Sequence, residues 1–323
     1  MIPSRATIWE TYDRFPNGSV RQGDGVKILD ENAVRELLRM DELIEVTADA
    51  LAGFSSGKAV QPVRAVLPIR EHNGFFGLMP AYNGALGAKL VTLYPDNKVL
   101  PTHQGVILLF DPKTGEPIAM IDGRLITEMR TAAASAVATR LLARPESSVL
   151  GILGSGVQAR SHLEALRLVR DFREVRVWSP RNARVFAEAN GILCADSAEA
   201  AIRGADVVVV ATASITPVLH GEWLSPGMHI NAVGACRPDW RELDDEVVAT
   251  SKTFVDSIEA ASIESGDVIA AQNVNGEIGE VIIGKKAGRQ SKDEITLYKS
   301  LGIAVEDVAA ADLAYRRALE SGV

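Results

Sequence analysis

The sequence has 323 residues, of which 47% are hydrophobic and 24% charged, and this length and composition allow two compact domains with cores of their own. A formal net charge of −8 without a dense Lys/Arg cluster argues against nucleic acid as a partner, and the longest apolar runs are far shorter than the roughly 20 residues that span a bilayer. Cys194 and Cys236 are too few for a disulfide framework and lack the spacing of a zinc site. We therefore expect a soluble, cytoplasmic protein that binds a small molecule and holds no metal.

The N-terminal part of the chain is predicted to form helices and then a sheet. Residues 1–25 contain no apolar core of signal-peptide length and are interpreted as an arm or loop. In ILDENAVRELLRMDELIEVTADALAGFSS, Asp30 and Asp41 are placed to cap the starts of two helices. From Val60 to Ala119, short β-rich runs separated by Gly, Pro, Asn and Asp indicate an antiparallel or mixed sheet. The periodicity of RLITEMRTAAASAVATRLLA predicts a closely packed helix.

After about residue 130, strand and helix signals alternate, which predicts a parallel sheet wrapped by helices. The predicted strands are SVLGILG, EVRVWS, DVVVVATA, HINAVGA and TFVDS, and the predicted helices span residues 158–170, 182–189 and 197–203. The last amphipathic stretch, SLGIAVEDVAAADLAYRRALES, is interpreted as a helix that returns to the first domain. The expected fold class is α/β, with a Rossmann-type parallel-sheet domain of residues 131–303 and a smaller α+β domain of residues 1–130 with 304–323.

The segment LGSGVQA follows an apolar strand and opens a predicted helix, so Gly154, Gly156 and Ala159 form the G-x-G-x-x-A version of the dinucleotide fingerprint. The first glycine permits a tight turn, the second lets the backbone approach a pyrophosphate, and the small third residue lets helix and strand pack. The alternative is an ordinary strand-to-helix turn. The predicted cofactor-binding residues of this part of the chain are Gly154, Ser155, Gly156, Val157, Gln158, Ala159 and, after the VVVV strand, Thr212.

The end of the second strand of this domain indicates which dinucleotide is bound. Enzymes that use NAD usually place Asp or Glu there, against the ribose 2′-hydroxyl. This chain has Ser179 and Arg181 instead, with Arg184 close behind. A hydroxyl and guanidinium groups suit a 2′-phosphate, which a carboxylate would repel. We therefore predict NADPH or NADP as the cofactor in preference to NADH, although these arginines are also compatible with a solvated helix start.

Three basic residues in the N-terminal part have neighbours that look buried or turn-bound: Arg64 in QPVRAVLP, Lys89 in GAKLVTLY and Arg130 in EMRTAAASA. An uncompensated cation on an apolar face is unfavourable, and a bound anion would resolve that cost. Two arginines suit a substrate carboxylate, and a desolvated lysine suits proton or hydrogen-bond donation to a reacting nitrogen. Snorkelling or internal ion pairs are the alternative explanation for such residues.

Other candidate groups are weaker. A lone histidine in a β-rich segment, His103, and a lone cysteine, Cys236, are more often structural residues, and neither is assigned a catalytic role. The adjacent carboxylates Asp244, Asp245 and Glu246 are typical of a solvated turn or helix start. We predict no metal site.

The chain resembles the ornithine cyclodeaminase/mu-crystallin family over residues 51–307, and its segments look most like those of the mu-crystallin-type ketimine reductases. The segments that carry the resemblance are QPVRAVLP, GLMPAY, KLVTLY, PTHQ, ITEMRTAAASA, GSGVQA, GEWLSPGMHINAVGACRPDWRELDDE, VDSIEAASIESGDV and KSLGIAVED. The resemblance implies a homodimer built on the first domain, and a substrate cleft between that domain and the Rossmann domain. It implies that Arg64, Lys89 and Arg130 bind the substrate, with Lys89 catalytic. The residues that it places near the nicotinamide are Asn231, Val233, Gly234, Ser300 and Gly302.

Departures within the family favour one activity. Ornithine cyclodeaminases resemble one another in having an acidic residue before the LMP run and an aspartate after the NAVGG turn, where this chain has Gly77 and Cys236. The resemblance therefore implies reduction of cyclic ketimine carboxylates, such as Δ1-pyrroline-2-carboxylate or Δ1-piperideine-2-carboxylate, to cyclic amino acids. The alternatives are ornithine cyclodeamination, reductive amination as in alanine dehydrogenases, and a protein that binds NADPH and a small ligand without catalysis.

Overall fold

The computed structural model describes residues 25–271 and 273–322, so nearly all of the predicted N-terminal arm lies outside the described residues. The first sheet has six strands in the order β1-β6-β5-β4-β3-β2. Strands β2 to β6 pair in antiparallel fashion, and β1 pairs with β6 in parallel, which confirms the mixed sheet. Its strands are β1 Lys27–Leu29, β2 Ala65–Ile69, β3 Gly74–Tyr82, β4 Leu86–Leu93, β5 His103–Phe110 and β6 Pro117–Asp122.

Eight parallel strands form the second sheet, in the order β13-β12-β14-β11-β10-β7-β8-β9. The predicted parallel sheet and the α/β fold class are confirmed. Strand β14 was not predicted, nor were the two-residue strands β9 and β13. The strands are β7 Val149–Leu153, β8 Glu174–Trp178, β9 Leu193–Cys194, β10 Val207–Val210, β11 His229–Ala232, β12 Ser251–Val255, β13 Gly276–Glu277 and β14 Ile295–Lys299.

The described residues include eleven α-helices. These are α1 Glu31–Leu37, α2 Met40–Ser55, α3 Gly123–Leu142, α4 Val157–Arg167, α5 Ala183–Asn190, α6 Ala198–Ile202, α7 Asp245–Thr250, α8 Ile258–Glu264, α9 Gly266–Ala271, α10 Ile278–Ile282 and α11 Ala304–Ser321. None of the helices in the described ranges has the length and hydrophobicity that crossing a membrane requires.

The two predicted helix caps have different outcomes. The Asp30 carboxylate accepts a hydrogen bond from the backbone N–H of Ala33 and caps α1, as predicted. The prediction for Asp41 is wrong, because α2 begins at Met40 with Arg39 as its N-cap residue. Asp41 instead lies in the first helical turn, where its charge favours the helix dipole, and it pairs with Arg39 at 2.8 Å.

Helices α2, α3 and α11 form the core beside the first sheet. The small residues of α3, including Ala132, Ala133 and Ala136, are fully buried, so α3 packs closely against both α2 and α4. Helix α11 packs against α2, α3 and strands β3 to β5, so the C-terminal end of the chain lies on the first sheet. Helix α3 also contacts β11 and β14 of the second sheet and thereby fixes one sheet relative to the other.

Candidate active site

The turn between β7 and α4 has a shape that fits a pyrophosphate. Gly154 has a φ of +118°, and a β-carbon there would collide with the carbonyl oxygen of Ala211. Gly156 is the N-cap of α4, and outside its own chain neighbours no described atom lies within 4 Å of the position of its β-carbon. Ala159 is fully buried. The helix N-terminus is therefore open to an anion, and the small residues lie where the turn needs them.

The connection after β8 offers hydroxyl and guanidinium groups. The Oγ atoms of Ser155 and Ser179 lie 2.8 Å apart. The two serines that were predicted to bind the cofactor, which follow the adjacent strands β7 and β8, are therefore in contact. Arg181 and Arg184 are exposed at the start of α5. This end of the turn thus presents donors and positive charge to solvent.

A cavity of about 220 Å³ brings residues of both sheets together. Of the predicted substrate and cofactor residues, those that line it are Arg64, Lys89, Arg130, Gln158, Val233, Ser300 and Gly302. A larger cavity of about 460 Å³ lies beside α2 and α11 and contains none of them. We place the candidate active site in the smaller cavity because its cations converge there.

Lys89 lies on β4, opposite Met79 of β3, and its side chain is only 2% exposed. Its Nζ is 2.7 Å from Oδ2 of Asp307 and 3.4 Å from the hydroxyl of Thr127. Burial lowers the pKa of Lys89 to about 8; the negative charge of Asp307 opposes this shift, and the cation of Arg130 adds to it. The ammonium group therefore releases its proton more readily than that of an ordinary lysine, but it is still mostly protonated at neutral pH.

Arg130 lies on α3 and is also almost fully buried. Its Nη1 donates to Oε2 of Glu306 at 2.9 Å, and its Nε donates to Oδ1 of Asp307 at 3.0 Å. Burial disfavours the charged guanidinium, but the two carboxylates outweigh that effect and raise the pKa of Arg130. Gly302 has a φ of +73°, and a β-carbon there would collide with the Arg130 guanidinium, so glycine is required beside the cation.

Arg64 precedes β2 and reaches across to the loop after β14. Its Nη2 donates to the carbonyl oxygens of Leu301 at 3.0 Å and Gly302 at 2.8 Å. Its Nε lies 2.9 Å from Oε2 of Glu264. Burial raises the pKa of Glu264, and the neighbouring Arg64 charge opposes that shift.

Each of the three cations therefore has an internal carboxylate partner, which is the alternative that the sequence left open. A bound anion is not needed to explain their burial. These partners, Glu264, Glu306 and Asp307, were not predicted from the sequence. Neither was Asp256, which accepts hydrogen bonds from the backbone N–H groups of Leu301 and Gly302. Two adjacent acidic residues at the start of an Ala-rich helix were the available signal for Glu306 and Asp307.

The structure also places the residues without an assigned role. His103 and Cys236 both line the cavity. Burial lowers the pKa of His103 to about 4, and the positive charges of Lys89 and Arg130 add to that effect, so His103 is neutral at physiological pH. Gly77 lines the cavity too, so both positions at which the resemblance implies a departure from the cyclodeaminases belong to the site.

The remaining predicted cofactor residues lie at the carboxyl ends of β10 and β11. Thr212 and Gly234 follow these strands, and both donate hydrogen bonds to the buried carboxylate of Glu242. Asn231 is fully buried within β11, and its amide donates to the hydroxyl of Thr139 at 2.9 Å. Its side chain is therefore engaged in the core, whereas Val233 reaches the cavity.

A fourth cation lines the cavity and was missed. Arg237 places its guanidinium carbon 4.1 Å from the centre of the Phe75 ring on β3 and pairs with Asp239. This stacking joins the loop after β11 to the first sheet.

Asp244, one of the three adjacent carboxylates, caps α7 by accepting from the backbone N–H of Val247. No group of three or more potential metal ligands occurs among the described residues.

Comparison with known proteins identifies the family. The family model described as ornithine cyclodeaminase/mu-crystallin family matches residues 26–322. Ketimine reductase mu-crystallin of Mus musculus is 48% identical over 301 residues, which are 89% of this chain and 96% of that protein.

Two solved structures share the fold over 92% of this chain. Thermococcus litoralis Δ1-pyrroline-2-carboxylate reductase, in complex with NADH and L-proline, is 42% identical with a TM-score of 0.89 over 99% of its chain. An archaeal alanine dehydrogenase dimer with bound NAD is 39% identical with a TM-score of 0.88 over 97% of its chain. The chain belongs to the ornithine cyclodeaminase/mu-crystallin family.

Proposed function

We propose that this chain is a nicotinamide-dependent oxidoreductase that reduces cyclic ketimine carboxylates to cyclic L-amino acids. The observation that carries the proposal is the cavity in which Arg64, Lys89 and Arg130 lie together with Gln158, Val233 and Ser300, which were predicted to bind the cofactor. Cations that face a hydride donor suit an imine with a neighbouring carboxylate. The relatives named ketimine reductase and Δ1-pyrroline-2-carboxylate reductase support the same substrate class.

The two arginines are proposed to hold the substrate carboxylate. A guanidinium has five N–H donors, and the internal contacts described above use Nε and Nη2 of Arg64 and Nε and Nη1 of Arg130. Among the described residues, these contacts leave Nη1 of Arg64 free to donate to an anion, together with Nη2 and one N–H of Nη1 of Arg130. Because the internal carboxylates fix both guanidinium planes, the substrate is oriented without further reorganisation.

Lys89 is proposed to supply the proton. A pKa of about 8 keeps Lys89 mostly protonated at neutral pH and makes transfer to the imine nitrogen easier than from an ordinary lysine. A reduced nicotinamide dinucleotide, with its pyrophosphate held at the Gly154–Ala159 turn, would supply the hydride to the imine carbon. The Asp307 carboxylate, 2.7 Å away, keeps the Lys89 ammonium oriented.

The function is tested by following NADPH and NADH oxidation with Δ1-pyrroline-2-carboxylate or Δ1-piperideine-2-carboxylate and no added ammonia. Rapid oxidation with a cyclic imine alone is expected. Oxidation only with pyruvate plus ammonia would assign an alanine dehydrogenase, the activity named for one structural relative. Ammonia release from ornithine would assign a cyclodeaminase, and nucleotide binding without any turnover would assign a ligand-binding protein.

The cofactor is proposed to be NADPH, because Ser179, Arg181 and Arg184 follow the end of β8, where an acidic residue would select NAD. Arg181→Ala is expected to weaken NADPH binding about tenfold, since it removes a charge-assisted contact to the 2′-phosphate, and to leave NADH binding unchanged. Titration of both nucleotides measures this. The control is Arg167→Ala, which removes an exposed arginine from the other end of α4. An unchanged ratio of the two affinities would place the phosphate elsewhere.

A homodimer is proposed through the outer face of the first sheet. Side chains on that face are apolar yet exposed, namely Ile28, Leu67, Phe76, Leu78 and Met120, and contiguous exposed apolar surface is typical of an interface. The archaeal relative described as a dimer supports this assembly.

Light scattering after gel filtration is expected to give twice the chain mass for the wild type and a single chain mass for Leu78→Glu. Val99→Glu changes an exposed valine in the loop after β4 and is expected to stay dimeric. A monomeric wild type would contradict the interface.

We also propose the division into a substrate-binding and dimerisation domain, residues 1–130 with 304–323, and a Rossmann domain, residues 131–303. The packing of α11 on the first sheet supports it, although α3 continues through residue 130 as one helix.

A cytoplasmic location is proposed because the described cysteines, Cys194 and Cys236, are both free thiols, as in reducing compartments.

A further inference from the structure

Glu242 is a buried carboxylate that the proposed mechanism does not use. It lies between β11 and α7, and its side chain is fully enclosed. Oε1 accepts hydrogen bonds from the backbone N–H of Thr212 at 2.9 Å and from the Thr212 hydroxyl at 2.7 Å. Oε2 accepts from the backbone N–H groups of Gly234 at 2.6 Å and Ala235 at 2.9 Å. One carboxylate therefore links the segment after β10 to the segment after β11.

Both segments lie at the edge of the sheet where a dinucleotide is expected. Strands β7, β10 and β11 are adjacent and parallel, and ligands of open α/β sheets bind outside the carboxyl ends of the strands. Val233, directly before Gly234, lines the cavity with the three cations. The Glu242 carboxylate thus binds the backbone directly after a residue that lines the cavity.

A third cavity segment is joined to the same carboxylate. Lys299 ends β14, and its Nζ lies 3.8 Å from Oε2 of Glu242 and 3.1 Å from Oδ2 of Asp267. Asp267 in turn accepts from the backbone N–H of Glu242. The three side chains are fully buried. Ser300 follows Lys299 directly and lines the cavity, so this cluster connects the loops after β10, β11 and β14.

Stability alone does not account for such a cluster. Three buried charges have a large desolvation penalty, and well-packed apolar residues commonly replace buried ion pairs without loss of stability. The space is also closely fitted, because a β-carbon on Gly234 would collide with both the Glu242 carboxylate and the Thr212 carbonyl oxygen. What the carboxylate adds is a link between the two loops beyond the point where the pairing of β10 and β11 ends, at Val210 and Ala232.

We propose that Glu242 is a positioning residue for the nicotinamide end of the cofactor. It sets the spacing between the Thr212 loop and the loop of residues 233–235, and so the shape of the pocket that receives the nicotinamide ring. The inference rests on the proposed nicotinamide-dependent function. Glu242 does not line the cavity, so it acts through the backbone groups that it binds.

Glu242→Gln tests this role, because it replaces one acceptor oxygen by an NH2 donor that faces existing N–H donors. The measurement is a titration of whichever reduced nucleotide the wild type binds more tightly, beside the corresponding fragment without nicotinamide, ADP-ribose or 2′-phospho-ADP-ribose. We expect binding of the whole nucleotide to weaken about tenfold while the fragment binds as in the wild type. Glu246→Gln, an exposed glutamate nearby on α7, is the matched control and is expected to bind both as the wild type does.

Equal losses for nucleotide and fragment would show a general structural role and overturn the proposal, as would unchanged binding of both. If Glu242→Gln does not fold, Glu242→Asp keeps the charge beside Lys299 but is too short to reach both loops, and the same comparison applies. A wild type that binds no nicotinamide nucleotide would overturn the proposed function and this inference with it. A wild type that binds one, with a variant that binds it equally, would overturn the inference alone.

Discussion

Lys89→Met is expected to lower the turnover number for the cyclic imine by about 10²–10⁴-fold, the usual contribution of a positioned general acid. Methionine fills a similar volume in the buried position on β4, but it has no proton to donate. The cofactor turn is formed by other residues, Gly154 to Ala159, so the dissociation constant for NADPH is expected to stay as in the wild type. Steady-state kinetics and a nucleotide titration measure the two quantities.

Lys98→Met is the matched control for this experiment. Lys98 is exposed in the loop after β4, so the same substitution there is expected to leave turnover unchanged. A fall in turnover accompanied by an equal loss of NADPH affinity would indicate a disturbed cavity. Turnover equal to that of the wild type would remove Lys89 from the mechanism.

Local signals in the sequence were sufficient for the cofactor turn. The two glycines of the turn, Gly154 and Gly156, are separated by one residue in a strand–turn–helix segment, and the pattern alone predicts their role. The same holds for the Asp30 cap. Asp41 was misplaced because the chain leaves α1 at Leu38 and enters α2 two residues later, and no local signal marks so short a connection.

Local sequence patterns predicted the candidate site only as isolated cations, and it was the family resemblance that grouped them in one cleft. Arg64, Lys89 and Arg130 were selected from their neighbours, but their partners Glu264 and Asp307 lie more than a hundred residues further along the chain. Such pairs are formed by tertiary packing, which for Asp307 is the return of α11 to the first sheet. Strand β14 was missed for a related reason, since ITLYK is a short run whose strand character comes from pairing with β11 and β12.

The second large effect is expected on folding stability when Asp307 is replaced. Its two carboxylate oxygens contact Lys89 at 2.7 Å and Arg130 at 3.0 Å, all within a buried cluster. Asp307→Asn keeps the size and shape of the side chain but removes the negative charge that faces Lys89 and Arg130. We expect the free energy of unfolding at neutral pH to fall by about 3–5 kcal/mol, as for the loss of one partner from a buried ion pair. Denaturant unfolding measures this.

Asp312→Asn provides the comparison on the same helix. Asp312 pairs with Arg316 at 2.9 Å on the surface of α11, where ion pairs contribute about 0–1 kcal/mol. The control is therefore expected to unfold at nearly the wild-type denaturant concentration. An equally small effect of Asp307→Asn would mean that the cluster does not hold its charges in the folded protein.

Asp307→Asn is also expected to change the pH dependence of activity. The proposed mechanism needs the protonated form of Lys89, so kcat/KM is maintained below the pKa of Lys89, about 8, and is lost as the pH rises through it. The negative charge of Asp307 raises that pKa against the effect of burial, so its removal must move the alkaline limb of the profile to lower pH. Because the substrate ionises identically in both assays, the displacement between the two profiles reports on the enzyme group alone. An alkaline limb at the same pH in both proteins would mean that the group titrating there is not Lys89.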